Sequence, residues 1–325
     1  MGAFLLRHWF LVGMAVVIAL AALMPWIGAR GGPLKPEITL HLAVAAAFLV
    51  SGMTLPLARL REASGQWRLH LFIQSFSFVL VPALVWLALP LLRLGGASDV
   101  LAQGFIVLAC LPTTIASCVI FTRAAGGNEA GALCNSVLGN LLGLIVTPAL
   151  LLLLLGTHGD APITAVLAQL SLEVLLPLVL GQIAQVLAGR HAGSFERLRP
   201  WPSVFLLYLI FCVFSETFST TSPTGAGHDL LITVLGVSLL HVVLLATCWW
   251  LSSIHAMGFA RGDRIAALFC GTQKTLALGV PMLSILYGHH PLLAWLTLPL
   301  ICYHPLQLVI SGVLAARLRQ SAGSG

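Results

Sequence analysis

One lysine in the middle of a long apolar segment raises the first question about chemistry. Lys274 lies about midway along the apolar stretch 262–287. Placing a lysine at the centre of a membrane helix costs about 2.5–3.5 kcal/mol even on the milder scales. Such a charge either lines a substrate or ion pathway or forms a structural ion pair between two helices. Glu173, in the apolar stretch 163–189, is the only carboxylate at comparable depth and is therefore the candidate partner.

Hydroxyl, amide and other polar side chains recur in several apolar stretches. Oxygen-rich, unwound backbone is what sodium coordination inside a membrane requires, although single hydroxyl groups often bond only to their own helix. Asn128 and Asn135 are seven residues apart and therefore share a helix face. The candidate substrate- or ion-binding residues are Gln74, Thr113, Thr114, Ser117, Asn128, Asn135, Ser136, Glu173, Thr272, Gln273, Lys274, Thr275 and His304.

The remaining reactive side chains do not form an enzyme motif. His304 precedes Pro305 and is a candidate for proton sensitivity, with a hydrogen bond between helices as the alternative. The seven cysteines form no C-x-x-C pair and no zinc spacing, which favours buried free thiols. Neither H-E-x-x-H nor G-x-S-x-G occurs. We therefore expect no enzymatic activity and no cofactor, with a sodium ion as the one small species that the site could bind.

The composition places these residues in a lipid bilayer. Of the 325 residues, 59% are hydrophobic and only 8% are charged, against about 25% charged in a typical soluble domain. This excludes a soluble enzyme or a nucleic-acid-binding protein as the leading interpretation. A helix needs about 20 apolar residues to cross the hydrocarbon core. Ten segments meet that length, namely 9–29, 38–57, 69–92, 100–124, 128–156, 163–189, 201–220, 229–254, 262–287 and 291–316.

The basic residues predict the orientation of these ten transmembrane helices. One set of alternating loops contains twelve of the lysines and arginines, the opposite set contains three, and Lys274 lies within a span. Loops rich in lysine and arginine lie on the cytoplasmic side. The count therefore predicts an integral protein of the cell (inner) membrane with both termini in the cytoplasm, as an even number of crossings also requires.

Ten spans divide into two sets of five, residues 1–160 and 161–325. Because five is odd, two copies of a five-helix repeat would enter the membrane from opposite sides, a common construction in secondary transporters. The fourth span contains ACLPTTIASC and the ninth contains LFCGTQKTLALGVP. Both stretches are rich in glycine, proline or hydroxyl groups at corresponding places in the two halves. They predict broken helices around a central binding site.

With these spans and motifs, the sequence resembles the bile acid:sodium symporter superfamily, and most closely a divergent branch of it. The resemblance extends over essentially the whole chain and is carried by CLPTTIASCVIFTRAAGGNEAGALCNSVLGNLLGLIVTP (110–148), VLLPLVLGQ (174–182) and ALFCGTQKTLALGVPM (267–282). It implies a ten-helix inverted repeat with broken crossover helices 4 and 9. It also implies a panel domain and a core domain, the core formed by spans 4, 5, 9 and 10 with 3 and 8.

The same resemblance implies a sodium site that this chain has altered. Ser117 and Gln273 match sodium-binding residues of typical members, and the candidate sodium ligands are Ser117, Ser136 and Gln273. Typical members carry asparagine, glutamate and asparagine where this chain has Cys118, Phe269 and Lys274. Two like charges 4 Å apart repel by about 4 kcal/mol at an effective dielectric of 20. We therefore expect the Lys274 ammonium to occupy or adjoin the place of one sodium ion, so that coupling uses fewer sodium ions, protons or none.

The sequence thus predicts a secondary active transporter that moves a small organic anion by alternating access. The solute would be bile-acid-like or another amphipathic carboxylate or sulfonate, and the oligomeric state is left open. The alternatives are a channel or a non-transporting regulatory membrane protein. If the lysine serves transport alone, Lys274→Ala should abolish transport and leave the melting temperature nearly unchanged.

Overall fold

A computed structural model describes residues 9–54, 65–155, 171–220, 226–287 and 293–323. These residues are mostly helical and contain no strand. In chain order the main helices are α1 (Trp9–Leu23), α2 (Pro36–Thr54), α3 (Trp67–Leu94), α4 (Asp99–Cys110), α5 (Ile115–Ala124), α6 (Glu129–Leu155), α7 (Leu172–Ala188), α8 (Trp201–Thr220), α9 (Ala226–Ser252), α10 (Arg261–Thr272), α11 (Leu276–Tyr287) and α12 (Leu293–Gly323).

The lengths and apolar composition of these helices are those of an integral membrane protein. Six are long and apolar enough to cross a bilayer, namely α2, α3, α6, α8, α9 and α12, and α4 with α5 makes a seventh if the bent pair is one span. Helices α1 and α7 are apolar but shorter. The start of the predicted sixth span and the predicted boundary between residues 160 and 161 lie outside the described residues. The all-helical membrane fold is therefore confirmed, and the ten-span inverted repeat stays a prediction.

Two predicted interruptions are present as breaks in helical structure. Helix α4 ends at Cys110, α5 begins at Ile115, and their axes differ by 63°. Helix α10 ends at Thr272, and α11 begins at Leu276. We call the intervening residues 111–114 the first break and residues 273–275 the second break.

The chain packs as two compact units that alternate along the sequence. The first contains α1, α2, α7, α8 and the described residues 279–287 and 293–297. The second contains α3 to α6, α9, α10, residues 276–278, and α12 from residue 298 onward. The predicted halves 1–160 and 161–325 are a statement about internal repetition rather than packing, so they stay a prediction.

In the first unit, two glycines let α2 and α7 approach closely. A Cβ atom at Gly52 would collide with the Leu178 carbonyl of α7, and one at Gly181 would collide with the Leu49 carbonyl of α2. Small residues at such crossings are the usual way for membrane helices to pack backbone against backbone. Helix α8 packs against both α1 and α2.

In the second unit, the C-terminal two thirds of α10 are enclosed by other helices. Its residues from Ile265 to Thr272 are all buried, and it packs against α3, α5 and α6. Ile265 and Phe269 form a small apolar core with Ala125 and Ala315. A helix that is buried on all sides leads directly into the second break, so the residues of that break are held deep inside the unit.

Candidate functional site

The first break supplies a row of backbone carbonyl groups. Pro112 has no N–H group and disfavours helical geometry at the preceding residue, so α4 ends just before it. The last carbonyl groups of a helix have no partner within it and must be satisfied from elsewhere. Five consecutive carbonyl oxygens, those of residues 109–113, accept hydrogen bonds from Lys274 Nζ, Thr147 Oγ1, the Thr275 amide and Asn140 Nδ2.

The two breaks are in direct contact. The Thr275 amide of the second break donates to the Pro112 carbonyl oxygen of the first at 2.9 Å. Lys274 reaches the carbonyl groups on both sides of Cys110, the last residue of α4. The unwound segments therefore satisfy part of each other's backbone hydrogen bonding, which a membrane interior demands because water is absent.

Lys274 lies at the centre of this contact. Its side chain is only 1% exposed. Its Nζ atom donates to the carbonyl oxygens of Leu111 at 2.7 Å, Ala109 at 2.9 Å and Ser77 at 3.1 Å, and it lies 3.1 Å from Ser77 Oγ. A carbonyl oxygen can only accept, and only the ammonium form of lysine carries three N–H donors. Three carbonyl groups around one nitrogen therefore form a cage that matches a cation.

The Ser77 carbonyl is available to Lys274 because a π-helical segment in α3 leaves it without a partner from its own helix. Residues Phe76–Leu80 form this segment, and the Val81 amide donates to the Phe76 carbonyl, five residues back. In the same register the Ser77 carbonyl would need the amide of residue 82, which is Pro82 and has no N–H group. The combination of a π turn and a proline leaves this oxygen for Lys274.

Gln273 binds the other side of the first break. It is fully buried, and its Oε1 atom accepts from Thr114 Oγ1 at 2.9 Å, Ser117 Oγ at 2.5 Å and Cys118 Sγ at 3.3 Å. The Thr114 and Ser117 hydroxyl groups are also hydrogen-bonded to each other. The Gln273 amide donates to Ser311 Oγ at 3.2 Å. Two predicted site residues, Thr114 and Ser117, therefore meet at the side-chain oxygen of a third, Gln273.

Side chains of α12 form hydrogen bonds to the backbone of the second break and of the adjacent end of α10. Gln307 accepts from the Lys274 amide and donates to the Lys274 carbonyl, both at 2.8 Å. The Tyr303 hydroxyl donates to the Thr272 carbonyl at 2.6 Å and lies 2.8 Å from His241 Nδ1. These side chains replace the helical hydrogen bonds that the break removes, and they fix the direction of the lysine side chain.

Sequence reasoning left the α12 contacts and Ser77 out of the candidate set. Tyr303, Gln307 and Ser311 are spaced by four residues, so they share one face of a helix. Polar residues at that spacing in an apolar span are a usable signal. Ser77 gave a weaker signal, because its role depends on the π turn.

The polar residues of α6 divide between the site and their own helix. Asn140 Nδ2 donates to the Thr113 carbonyl at 2.8 Å and so contacts the first break. Asn135 donates to the Gly131 carbonyl, and Gln74 Nε2 donates to the Asn135 carbonyl at 3.1 Å. Ser136 donates to the carbonyl four residues earlier and lies 3.7 Å from Cys270 Sγ. Asn135 and Ser136 thus have local partners, and Ser136 makes no hydrogen bond to Ser117 or Gln273 among the described contacts.

Four further candidates have local or distant partners. Thr272 Oγ1 donates to the Leu268 carbonyl, and Thr275 Oγ1 accepts from the Ala277 amide at the start of α11. His304 Nδ1 lies 3.1 Å from Gln307 Nε2, which places it beside the glutamine that supports Lys274. Asn128 lies where α6 begins and bonds to Gln66, Asp263 and the Gly131 amide.

Glu173 has a histidine partner within the first unit, and its predicted pairing with Lys274 stays a prediction. Glu173 belongs to the first unit, where its Oε2 atom lies 2.9 Å from His41 Nδ1. Lys274 belongs to the second unit, and its hydrogen-bond acceptors are oxygens of Ser77, Ala109 and Leu111. Depth along a span placed both charges in the membrane, but the neighbours of each charge follow from helix packing.

Comparison with known proteins gives matches over nearly the whole chain. Residues 8–320 match the SBF-like CPA transporter family. The chain is 38% identical over 319 residues to sodium/bile acid cotransporter 7 of Xenopus tropicalis, with 96% of this chain and 92% of that protein covered. It is equally similar to sodium/bile acid cotransporter 7 of Mus musculus, with 96% and 93% covered. Solute carrier RCH1 of Candida albicans is 30% identical over 368 residues, with 98% and 90% covered. These are names of transporters and not of enzymes.

Proposed function

Since the chain belongs to the SBF-like CPA transporter family, we propose that it is a secondary active transporter of a small organic anion in which the Lys274 ammonium takes the place of one coupling sodium ion. Family membership makes the chain a transporter of the sodium/bile acid cotransporter type rather than an enzyme. The anionic solute and the altered coupling are our proposal. The observation that carries it is the cage of three carbonyl oxygens around Lys274 Nζ.

The cage resembles a sodium site in its chemistry. Unwound backbone carbonyl groups and the C-terminal ends of half-helices are the groups that coordinate sodium ions in transporters with broken helices. Here the Ala109 and Leu111 carbonyls lie at the C-terminal end of α4, which carries partial negative charge. A covalently attached cation at this position would make one sodium ion unnecessary.

The residues beside the cage favour an anionic solute. The N-terminus of α5 carries partial positive charge, and broken helices in transporters aim such ends at anionic groups of the substrate. Thr114 and Ser117 lie at this end and are only partly buried, unlike Lys274 and Gln273. Their hydroxyl groups could donate to a carboxylate or sulfonate once they release the Gln273 oxygen.

The arrangement of the helices supports alternating access. Transporters of this construction work by moving one helix bundle against another around a central site. The chain has two separately packed units, and the residues of both breaks belong to the second. We propose ten spans in an inverted five-plus-five repeat, the first unit as panel domain and the second as core domain. Both termini would lie in the cytoplasm.

Uptake by the purified protein in proteoliposomes tests the coupling. Radiolabelled taurocholate is the first probe, with sodium or choline as the external cation. We expect fewer than two sodium ions to be coupled to each transport cycle, or uptake to be independent of sodium. Full sodium dependence with two or more ions per cycle would contradict the replacement of a sodium ion by Lys274.

A single substitution should restore sodium dependence. Asparagine is the residue that the resemblance places at position 274, and it removes the fixed cation while leaving an oxygen ligand. We expect uptake by Lys274→Asn to depend more steeply on sodium concentration than uptake by the unmodified protein. Lys35→Asn, which changes the other lysine of the chain at an exposed position, is the matched control and should leave the sodium dependence unchanged.

A further inference from the structure

The second unit also contains a groove that lies away from the two breaks. This groove of about 560 Å³ runs between α9, α10 and α12, and its lining includes Leu245, Trp249, Leu268, Ile310, Val313 and Arg317. Its volume falls in the range of about 300–1,000 Å³ typical of small-molecule sites. Of the described residues that line it, Arg317 alone is charged. The lining is therefore suited to a long apolar chain with one charged end.

The groove opens towards the apolar surface of membrane-spanning helices. Val309 and Val313, both in its lining, are 65% and 53% exposed. Helices α9 and α12 are long and apolar enough to cross a bilayer. Surfaces of this kind are in contact with lipid acyl chains rather than with water.

Arginines cluster at one end of the groove. The Arg264 guanidinium lies over the Trp249 ring at 4.3 Å, and Arg261 Nη2 donates to the carbonyl of Leu318, which also lines the groove. Ion pairs among the described residues involve neither Arg264 nor Arg317. Arg264 Nη2 donates to Ser253 Oγ, whereas its Nε atom is buried without a hydrogen-bond partner. This end of the groove therefore has guanidinium donors for an anion.

We propose that this groove binds an anionic phospholipid of the surrounding membrane, with an acyl chain along the apolar lining and the phosphate at Arg317 and Arg264. Arginine presents planar, paired N–H donors that match phosphate oxygens. Basic pockets between membrane helices on the cytoplasmic side bind lipid headgroups in the same way. The exposed apolar rim selects an occupant that is already in the bilayer, and the arginines select a negative headgroup.

Lipid binding by the purified full-length protein tests the proposal independently of transport. The probes are dioleoyl phosphatidylglycerol, which is anionic, and dioleoyl phosphatidylcholine, which is zwitterionic, offered in equal amounts in detergent micelles. Native mass spectrometry counts the molecules retained. We expect a preference for phosphatidylglycerol of about fivefold or more, since each basic residue near the membrane surface contributes roughly that factor. Equal retention of the two lipids would overturn the proposal.

Two variants separate the charge from the cavity. Arg317→Gln should reduce the preference for phosphatidylglycerol about fivefold. Val313→Trp should fill the groove and reduce retention of both lipids. The matched controls are Arg68→Gln, an exposed arginine beside a tryptophan, and Val242→Trp, an exposed valine of α9, neither of which lines the groove.

The outcomes discriminate between occupants. Unchanged lipid retention in both Arg317→Gln and Val313→Trp would overturn the assignment to this groove. Displacement of phosphatidylglycerol by taurocholate would assign the groove to the organic anion and would also overturn it. We expect a reduced preference for phosphatidylglycerol in Arg317→Gln and reduced retention of both lipids in Val313→Trp, together with normal binding in the controls.

Discussion

The backbone groups of the two helix breaks find their hydrogen-bond partners in opposite ways. The first break, residues 111–114, is opened by a proline and offers carbonyl oxygens to donors from other elements. The second break, residues 273–275, contains no proline, and the backbone of Lys274 is bonded by a single glutamine of α12. Its side chains then donate to the first break or accept from it. One unwound segment acts mainly as acceptor, and the other brings the cation.

This difference explains why each break needs the other. An unwound segment in a membrane must find partners for its backbone groups, because lipid supplies none. Without Lys274, the carbonyl oxygens of Ala109 and Leu111 would lose this donor in a buried position. The ammonium would in turn be a buried charge without ligands, which is among the most costly arrangements in a protein.

Removing the cation should produce the largest effect. Lys274→Met keeps an unbranched side chain but leaves three buried carbonyl oxygens without this donor. Each unsatisfied group costs about 1–3 kcal/mol, so we expect the free energy of unfolding to fall by about 3 kcal/mol or more. Chemical denaturation in mixed micelles measures it.

The exposed Lys35→Met is the matched control for this prediction and should be neutral. From the sequence we expected Lys274→Ala to leave the stability nearly unchanged if the lysine serves transport alone. The structure changes this expectation to a loss of stability, because the side chain is buried and fully hydrogen-bonded. A stability unchanged by Lys274→Met would mean that the cage does not hold an ammonium.

A double substitution tests whether the breaks depend on each other. Pro112→Ala restores an N–H group and allows α4 to continue, which gives its last carbonyl groups helical partners when Lys274 is absent. We expect the double variant Pro112→Ala with Lys274→Met to be more stable than the sum of the single effects predicts, by about 1 kcal/mol or more. Strict additivity of the two changes in unfolding free energy would deny the coupling between the breaks.

The smallest effect should come from the hydroxyl group of Ser77. Ser77→Ala removes Oγ from the cage but retains the carbonyl oxygen that the π turn presents. Loss of one such hydrogen bond costs about 0.5–1.5 kcal/mol. Ser75→Ala, at an exposed position two residues earlier, is the control for helix propensity. A loss as large as that for Lys274→Met would show that the hydroxyl, and not the carbonyl groups, holds the cation.

Much of the helical framework and part of the site could be predicted from the sequence. Proline and the glycine- and hydroxyl-rich segments marked both breaks, and apolar runs marked the long helices. Gln273, Thr114 and Ser117 were predicted as site residues, and the structure brings them together. These features depend on local sequence, because a proline or a buried amide has consequences wherever the segment packs.

The rest depends on which helices become neighbours. The pairing of Glu173 with His41 and the bonding of Lys274 to α3 and α4 are set by packing in two different units. Sequence gives the depth of a charge in the membrane but not the face on which its partner lies. The role of Ser77 depends further on a local change of helical register, which residue types alone do not announce.

The π turn in α3 has a consequence for how this cage could arise. In a regular α-helix the Val81 amide would donate to Ser77 instead of to Phe76, and the oxygen now facing Lys274 would be occupied. Deleting one residue from the turn would restore that regular spacing. A change of one residue in the length of α3 therefore decides whether the Ser77 carbonyl oxygen can bind a lysine. A one-residue insertion into a regular helix is enough to expose that oxygen.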